Sequence, residues 1–286
     1  MKLLCFSSKD KPHIGLKLPG GVLDLTASGY GRDITQTIAD FAAAKQDIQR
    51  LCSSPDLPML DEQYLDYLPP ASAASKVLCV GYNYKLHIDE AHKGQAPVYP
   101  QVPILFSKFN NALNAHNRPV TLLPSALKYD YEAELVAVMG KGGMDIPKEE
   151  AADYIFGYTC GNDVSARDAQ QLTSQWLIGK SPPGFAPLGP WIVTADELDP
   201  CHLAITCRRG SEVVQSANTE QMIFDVYSIV SFASRYIRFE PGDVIFTGTP
   251  SGVILGMDAG RQDWLKPGDE ITVSIEQIGD LTTRFV

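Results

Sequence analysis

The segment from Tyr129 to Gly140 constrains the fold and the chemistry of this chain more than any other. It reads Tyr-Asp-Tyr-Glu-Ala-Glu-Leu-Val-Ala-Val-Met-Gly, which is typical of a β-strand. Because side chains alternate between the two faces of a strand, Glu132 and Glu134 share one face. The pattern therefore places two acids side by side on a strand that is otherwise apolar on both faces.

Two neighbouring carboxylates that are partly buried cost free energy unless they are protonated or neutralised by a cation. A third acid, Asp163, follows a strand predicted over residues 155–160, at a strand end, where functional residues are common. Three carboxylates without clustered cysteine or histidine suit a hard ion; we expect Mg²⁺, with Mn²⁺ or Ca²⁺ as alternatives. Two other interpretations stay open at this point: an edge strand whose acids face water, and Asp163 as a helix N-cap.

A histidine and a glutamate form a second candidate site. If residues 84–92 are helical, His87 and Glu90 are i, i+3 neighbours. A carboxylate beside an imidazole raises its basicity and fixes its orientation, as a general base requires. Lys180 lies between a glycine and a proline-rich loop, where it could stabilise an enolate oxygen. A solvated surface pair and an ordinary surface lysine are the alternatives.

The charge balance limits the partners of the protein. The 286 residues include 24 Lys and Arg against 34 Asp and Glu, a formal net charge of −10. Duplex nucleic acid and anionic lipid both require a basic face, so we expect neither nucleic acid nor membrane as a partner. No stretch approaches the roughly 18 apolar residues of a membrane span, and the N-terminal apolar run is too short for a signal peptide. We therefore expect a cytoplasmic protein, with a mitochondrial location left open.

The order of the predicted elements indicates an α+β, mostly β architecture. Helices are predicted over residues 33–51, 84–92, 148–154, part of 166–178 and 221–236, among many short strands and turns. The small-residue run at 71–75 is typical of a linker. We accordingly place a boundary near residue 72, between a small N-terminal α/β domain (1–72) and a larger C-terminal domain (73–286).

Six pieces of the chain form a set that is more informative together than singly. They are, in chain order, Gly81-x-Asn83-Tyr84-x-x-His87-x-x-Glu90, Tyr131-Glu132-x-Glu134-Leu135, Gly157-Tyr158-x-x-x-Asn162-Asp163-Val164-Ser165-Ala166-Arg167-Asp168-x-Gln170, Gly179-Lys180-Ser181, Pro187-Leu188-Gly189-Pro190-Trp191 and Glu240-Pro241-Gly242-Asp243-Val244-Ile245-x-Thr247-Gly248-Thr249-Pro250. Taken together and in this order, they resemble the fumarylacetoacetate hydrolase family. The resemblance runs from about Val77 to the C-terminus, whereas the first 70 residues match only loosely. Pro183 and the segment 107–116 depart from the usual family pattern.

The resemblance implies a mixed β-roll catalytic domain, a homodimer and one divalent metal ion per site. It implies that the metal is bound by Glu132, Glu134 and Asp163. It also implies that His87 and Glu90 activate water, and that Lys180 stabilises developing negative charge. The positions that it matches to substrate contacts are Tyr84, Arg167, Gln170 and Thr249.

The leading functional hypothesis is a divalent-metal-dependent hydrolase. It would cleave a C–C bond in a small anionic 2-oxo acid or 1,3-dicarbonyl substrate of the acylpyruvate or fumarylacetoacetate type, through an enolate. The same enolate chemistry without attack by water gives oxaloacetate decarboxylation, keto–enol tautomerisation or isomerisation, and the sequence leaves these outcomes open. The alternative from another class is a non-catalytic protein that binds metal or an oxo acid.

Overall fold

The computed structural model describes residues 1–53, 57–92 and 96–286. The α-helices of these residues are α1 (Ile34–Ala39), α2 (Phe41–Cys52), α3 (Lys85–His92), α4 (Arg167–Gln170), α5 (Leu177–Lys180) and α6 (Val226–Ser234). The strands are β1 (Lys2–Ser8), β2 (Lys11–Leu18), β3 (Gly21–Asp24), β4 (Met59–Leu60), β5 (Asp66–Leu68), β6 (Val77–Gly81), β7 (Ile104–Lys108), β8 (Leu113–Ala115), β9 (Pro119–Val120), β10 (Tyr129–Asp130), β11 (Ala133–Met139), β12 (Ile155–Asn162), β13 (Ser165–Ala166), β14 (Ala186–Thr194), β15 (Ala204–Arg209), β16 (Glu212–Asn218), β17 (Val244–Phe246), β18 (Glu270–Ile275) and β19 (Gly279–Phe285). Short 3₁₀ helices lie at Glu62–Tyr64, Asn110–Ala112, Lys148–Tyr154, Ala195–Glu197, Thr219–Gln221, Ile254–Gly256 and Ala259–Arg261.

A large mixed sheet holds the acid-bearing strand at its centre. Its order is β4-β3-β2-β1-β14-β12-β11-β17-β6-β7, with β5 beside β1 and β8 beside β14. Strand β11 pairs antiparallel with both β12 and β17, and all of its residues are buried. The edge-strand interpretation of the two acids is therefore wrong.

Both faces of β11 are covered, which explains its continuous apolar composition. Leu135 and Ala137 belong to a core cluster shared with the second sheet, β16-β15-β18-β19-β9. Val136 and Val138 belong to another cluster, which is shared with the N-terminal strands and with α1 and α2. A strand buried on both faces cannot show the polar and apolar alternation of a half-exposed one. The architecture confirms the predicted mostly β, mixed fold class.

The N-terminal segment extends the large sheet, because β1 pairs antiparallel with β14. The domain boundary near residue 72 stays a prediction. The single helix predicted over 33–51 is wrong in one respect, since it is divided into α1 and α2 at Asp40. The backbone of Asp40 leaves the helical region (φ −133°, ψ 63°), and its carboxylate caps α2 by accepting the Ala43 N–H.

Three other helices predicted from the sequence differ from the structure. Residues 148–154 form a 3₁₀ helix, and only α4 and α5 are α-helical within 166–180. The predicted helix over 221–236 is shortened to α6, because Asp225 caps it by accepting the Ser228 N–H. Among the described residues, no helix is both long and apolar enough to cross a lipid bilayer.

His116 connects the end of β8 to β19. The Thr282 N–H donates to its Nδ1 at 3.1 Å, and its ring meets the Tyr67 ring edge-on with 4.8 Å between centroids. Burial lowers the pKa of His116 to about 4. The imidazole is therefore neutral at physiological pH, with Nδ1 acting as the acceptor.

Candidate metal centre

Three buried acids converge where β11 and β12 meet. Glu132, Glu134 and Asp163 each present one carboxylate oxygen, and these oxygens lie within 4.8 Å of one another. The structure thus brings together the three acids that the sequence singled out. Asp163 does not act as the N-cap of α4, whose N-cap residue is Ala166, so that alternative is wrong.

The continuous strand predicted from Tyr129 to Gly140 is also wrong near its start, because the chain leaves the ladder between β10 and β11. The Glu132 N–H donates to the Asn162 side-chain oxygen at 3.1 Å, and the Glu132 carbonyl accepts the Asp163 N–H at 2.9 Å. An asparagine side chain therefore takes the place of a ladder partner beside Glu132. Glu134 therefore reaches the centre from β11, and Glu132 reaches it from the break directly before that strand.

Two lysines contact the acids from inside the protein. The Lys180 ammonium donates to Glu132 Oε2 and to Asp163 Oδ2, both at 2.7 Å. The buried Lys108 ammonium contacts Asp163 Oδ1 and donates to the Val164 carbonyl at 2.9 Å. Sequence reasoning missed Lys108, although a lysine at the end of the largely apolar strand β7 was a usable signal.

Arg167 links the acids to a fourth carboxylate. Its guanidinium donates to Glu132 Oε1 at 2.7 Å and to Asp130 Oδ2 at 2.9 Å. Asp130 is fully buried and also accepts the N–H groups of Ile254 and Leu255. Asp130 was another residue missed from the sequence, where its position next to the two glutamates was the only signal.

The electrostatics of the acids favour a cation. Burial raises the pKa of Glu134 well above its usual range, and the neighbouring charges of Asp163 and Glu132 raise it further. Burial also raises the pKa of Glu132, but the charges of Lys180 and Arg167 outweigh it and hold that pKa below its usual range. Glu134 is thus the acid whose charge is least compensated by the protein. Three clustered carboxylate oxygens with such a residue among them fit a hard divalent cation.

The predicted dyad is formed on α3, which spans the helix expected from the sequence. His87 Nδ1 lies 2.9 Å from Glu90 Oε1, and Glu90 Oε2 accepts the Gly252 N–H at 2.9 Å. A carboxylate accepts only, so Nδ1 carries the proton and Nε2 is left as a base. His87 and Glu90 line the same pocket as Glu132 and Glu134, so they are not a solvated surface pair.

A loop of residues 248–255, which we call the site loop, donates backbone N–H groups to three of these acids. Gly248 N–H donates to Glu134 Oε2 at 2.7 Å, in addition to the contacts with Glu90 and Asp130 given above. Gly248 adopts a φ of +97°, and a Cβ there would lie 2.7 Å from the Asn83 Cβ, so the close approach requires glycine. The main chain of the site loop therefore orients a dyad member, a candidate metal ligand and the partner of Arg167.

Part of the pocket wall is aromatic. Trp176 packs edge-on against Tyr82 and Phe106, with 5.8 and 5.2 Å between ring centroids. All three side chains line the pocket, and sequence reasoning missed them as site residues. A Cβ on Gly81 would lie 2.6 Å from the Trp176 ring, so glycine is what allows the ring to occupy this place.

Three of the four predicted substrate contacts line the pocket, and the fourth does not. Arg167, Gln170 and Thr249 line the pocket with the acids. Tyr84 is buried, 2% exposed, and is not among the residues that line this pocket; its backbone bridges to Met222. All four substrate contacts stay predictions.

Comparison with known proteins gives concordant matches. The family model described as fumarylacetoacetate (FAA) hydrolase C-terminal matches residues 76–286. The chain is 38% identical over 283 residues to a Homo sapiens protein named mitochondrial oxaloacetate tautomerase FAHD2A, and the match covers 96% of this chain and 88% of that protein. A fumarylacetoacetate hydrolase from Exiguobacterium antarcticum matches with a TM-score of 0.84 at 34% identity, over 100% of this chain and 99% of that one. A maleylpyruvate hydrolase from Sphingobium in complex with manganese(II) and pyruvate matches with a TM-score of 0.81 at 26% identity, over 100% and 99%.

Proposed function

The chain belongs to the fumarylacetoacetate hydrolase family of enzymes, and from that premise we propose that it catalyses the metal-dependent keto–enol tautomerisation of a small 2-oxo dicarboxylate such as oxaloacetate. The observation that supports this most is the cluster of three buried carboxylates, two of which, Glu132 and Glu134, line one pocket with His87. The human relative, which aligns with nearly the whole chain, bears the name oxaloacetate tautomerase. These relatives lead us to place tautomerisation ahead of the C–C hydrolysis that the sequence favoured.

The residues that would hold the metal ion are Glu132, Glu134 and Asp163, and we propose Mg²⁺. When bound, the ion would supply Lewis-acid polarisation of the substrate's oxygens. The Lys180 ammonium uses two of its three N–H groups on acids, so the third is available to a substrate oxygen that gains negative charge.

The proton transfer is assigned to the dyad. His87 Nε2 takes a proton from the carbon next to the oxo group, and the imidazolium so formed gives a proton to the oxo oxygen, which yields the enol and restores the neutral imidazole. Substrate and product are isomers, so no co-reactant is needed. Glu90 holds the imidazole by its Nδ1–H and stabilises the imidazolium that forms during the transfer.

Hydrolysis of an acylpyruvate-type C–C bond is the second candidate. It is favoured by the same His87–Glu90 contact, which suits activation of water as well as proton abstraction, and by the match to a maleylpyruvate hydrolase. The two reactions use the same enolate-stabilising groups and differ in whether water attacks a carbonyl carbon. Decarboxylation of oxaloacetate is a third outcome of the same chemistry.

The test is a substrate panel with purified protein and Mg²⁺. Loss of enol absorbance, CO₂ release and cleavage of an acylpyruvate are followed separately, each against Mg²⁺ without protein, because the free ion also promotes enolisation. We expect fast tautomerisation and slow release of CO₂. Cleavage of the acylpyruvate at a higher kcat/KM than tautomerisation would reverse the order of the two candidates, and no acceleration over Mg²⁺ alone would refute both.

A matched pair of histidine variants assigns the base. His87→Gln should lower tautomerisation by about 10²- to 10⁴-fold, the usual contribution of a general base. His92→Gln is the control, since His92 lies on the same helix with its Nδ1 at the Ile88 carbonyl. Equal activity of the two variants would remove His87 from the mechanism.

The remaining expectations are proposals of the same kind. We propose a homodimer, which light scattering tests, and a small anionic oxo acid as the ligand in place of nucleic acid or membrane. The human relative is named mitochondrial, and the expected cytoplasmic location of this chain stays a prediction that cell fractionation decides.

A further inference from the structure

A glutamine outside the sequence-predicted site contacts one of the pocket residues. Gln215 lies on β16 in the second sheet and is buried, with 2% exposure. Its Nε2 donates to Thr249 Oγ1 at 2.9 Å and to the Pro250 carbonyl at 2.8 Å. Its Oε1 accepts the Ala133 N–H at 3.0 Å. Gln215 thus connects the site loop to β11 at the residue between Glu132 and Glu134.

The orientation of the Gln215 amide follows from the chemistry of its partners. A backbone N–H can only donate, so the atom facing Ala133 is the amide oxygen. A backbone carbonyl can only accept, so the atom facing Pro250 is the amide nitrogen. In the reversed orientation the amide NH₂ would face the Ala133 N–H, donor against donor, and the amide oxygen would face the Pro250 carbonyl, acceptor against acceptor. The two hydrogens of Nε2 are then directed at Pro250 and at Thr249.

This orientation fixes the polarity of the Thr249 hydroxyl. Oγ1 accepts from Gln215, so the hydroxyl hydrogen is left for another acceptor. Thr249 lines the pocket that also contains His87 and Lys180. Gln215 thus occupies one of the two lone pairs of Oγ1 and leaves the hydroxyl hydrogen unused, and that hydrogen is the group that an anionic oxygen in the pocket would accept.

We propose that Gln215 is a positioning residue that fixes Thr249 as a hydrogen-bond donor to an anionic oxygen of the substrate. The substrate class rests on the proposed function. The conclusion that the Thr249 hydroxyl accepts from Gln215 and keeps its hydrogen for another acceptor rests only on the three contacts of Gln215. Because a donor that meets the substrate equally in the ground and transition states contributes to binding, its loss raises KM more than it lowers kcat.

The experiment is a double-mutant cycle between Gln215→Met and Thr249→Val. Pyruvate binding in the presence of Mg²⁺ is measured by calorimetry for the four proteins, and KM and kcat for oxaloacetate are measured in parallel. Thr249→Val should raise the pyruvate Kd and the oxaloacetate KM about tenfold or more, the value of a hydrogen bond to a charged acceptor. Thr249→Ser, which keeps the hydroxyl, should stay within about threefold of the wild type.

Coupling between the two sites separates positioning from a structural role. Gln215→Met should raise the same Kd in the presence of Thr249, and should add less than about twofold in the Thr249→Val protein. Gln262→Met is a matched control, because Gln262 also donates its amide to two backbone carbonyls, those of Leu255 and Met257. It should lower thermal stability without coupling to Thr249→Val.

A second variant covers the case in which Gln215→Met does not fold. Gln215→Glu keeps the shape of the side chain but reverses the direction of its hydrogen bond with Thr249. The carboxylate oxygen accepts the Thr249 hydroxyl hydrogen, which is then no longer available to the substrate. This variant should raise the pyruvate Kd only when Thr249 is present, and its Mg²⁺ affinity, measured separately, reports the effect of the added charge.

Each outcome decides the proposal. An unchanged Kd in Thr249→Val, or an equal cost of the Gln215 change in both backgrounds, would overturn it. Turnover of oxaloacetate by the wild type together with additive variants would overturn this inference and leave the proposed function standing. Pyruvate binding with coupled variants but no turnover would do the reverse, and a wild type that neither binds pyruvate nor turns over oxaloacetate would overturn both.

Discussion

Acidification should destabilise this protein through His116, whose pKa is lowered by burial to about 4 from an ordinary 6.5. The unfolded chain takes up a proton near pH 6.5, whereas the folded protein does so only near pH 4. The unfolded state therefore binds more protons in this window, and stability falls as the pH falls through it. The two pKa values give a loss of about 2 kcal/mol between pH 8 and pH 5 from this residue.

The assay is urea unfolding at fixed protein concentration, at pH 8 and at pH 5. His116→Asn places an amide oxygen where Nδ1 accepts from Thr282, so that contact is kept while the titrating group is removed. We expect the variant to be less stable at pH 8, since it loses the ring that packs on Tyr67, and to lose about 2 kcal/mol less than the wild type on acidification.

His202 provides a control whose contribution to stability changes with pH in the opposite direction. His202 is exposed, and its hydrogen bond to Asp199 raises its pKa, so this residue adds stability at acidic pH that is lost as the pH rises. His202→Asn should therefore increase the loss on acidification. If His116→Asn and the wild type show the same dependence on pH, the account of His116 is refuted.

Three other predictions concern the site. A chelator should lower the thermal midpoint, because Mg²⁺ at about 100 times its Kd stabilises the folded state by about 2.7 kcal/mol; unchanged melting would contradict a metal centre. Gly81→Ala should lower kcat/KM about tenfold or more by displacing Trp176, with Gly31→Ala as the control in open space; equal activities would show that the ring tolerates the methyl group. Asp130→Asn should cost about 3 kcal/mol, because it breaks a buried ion pair, whereas Glu270→Gln breaks an exposed pair and should cost under about 1 kcal/mol in the same melting assay.

The sequence predicted those features that depend on local spacing. The fold class, the family and the enzymatic class are confirmed, and the i, i+3 relation of His87 and Glu90 is realised on α3. The convergence of Glu132 and Glu134 followed from two acids two residues apart in an apolar run. Their roles in metal binding and catalysis stay predictions.

The missed features depend on contacts between distant parts of the chain. Lys108 meets Asp163 across 55 residues, and the amide of Gln215 meets Ala133 across 82. The break before β11 depends on the Asn162 side chain, which no pattern within residues 129–140 reports. The division of the first predicted helix was local, but apolar periodicity continued through Asp40 and hid it.

The site loop contacts Glu90, Glu134 and Asp130 through main-chain N–H groups, which every residue except proline supplies. Evolution can therefore exchange many of its side chains without losing these contacts. The number of residues in the loop is much more strongly constrained. One inserted or deleted residue shifts the following amides by up to about 3.5 Å along the chain, so that they no longer reach their hydrogen-bond acceptors. Libraries that diversify this enzyme should accordingly vary a half-buried side chain of the loop that lies outside the pocket lining, such as Ser251, and leave the residue count of the loop unchanged.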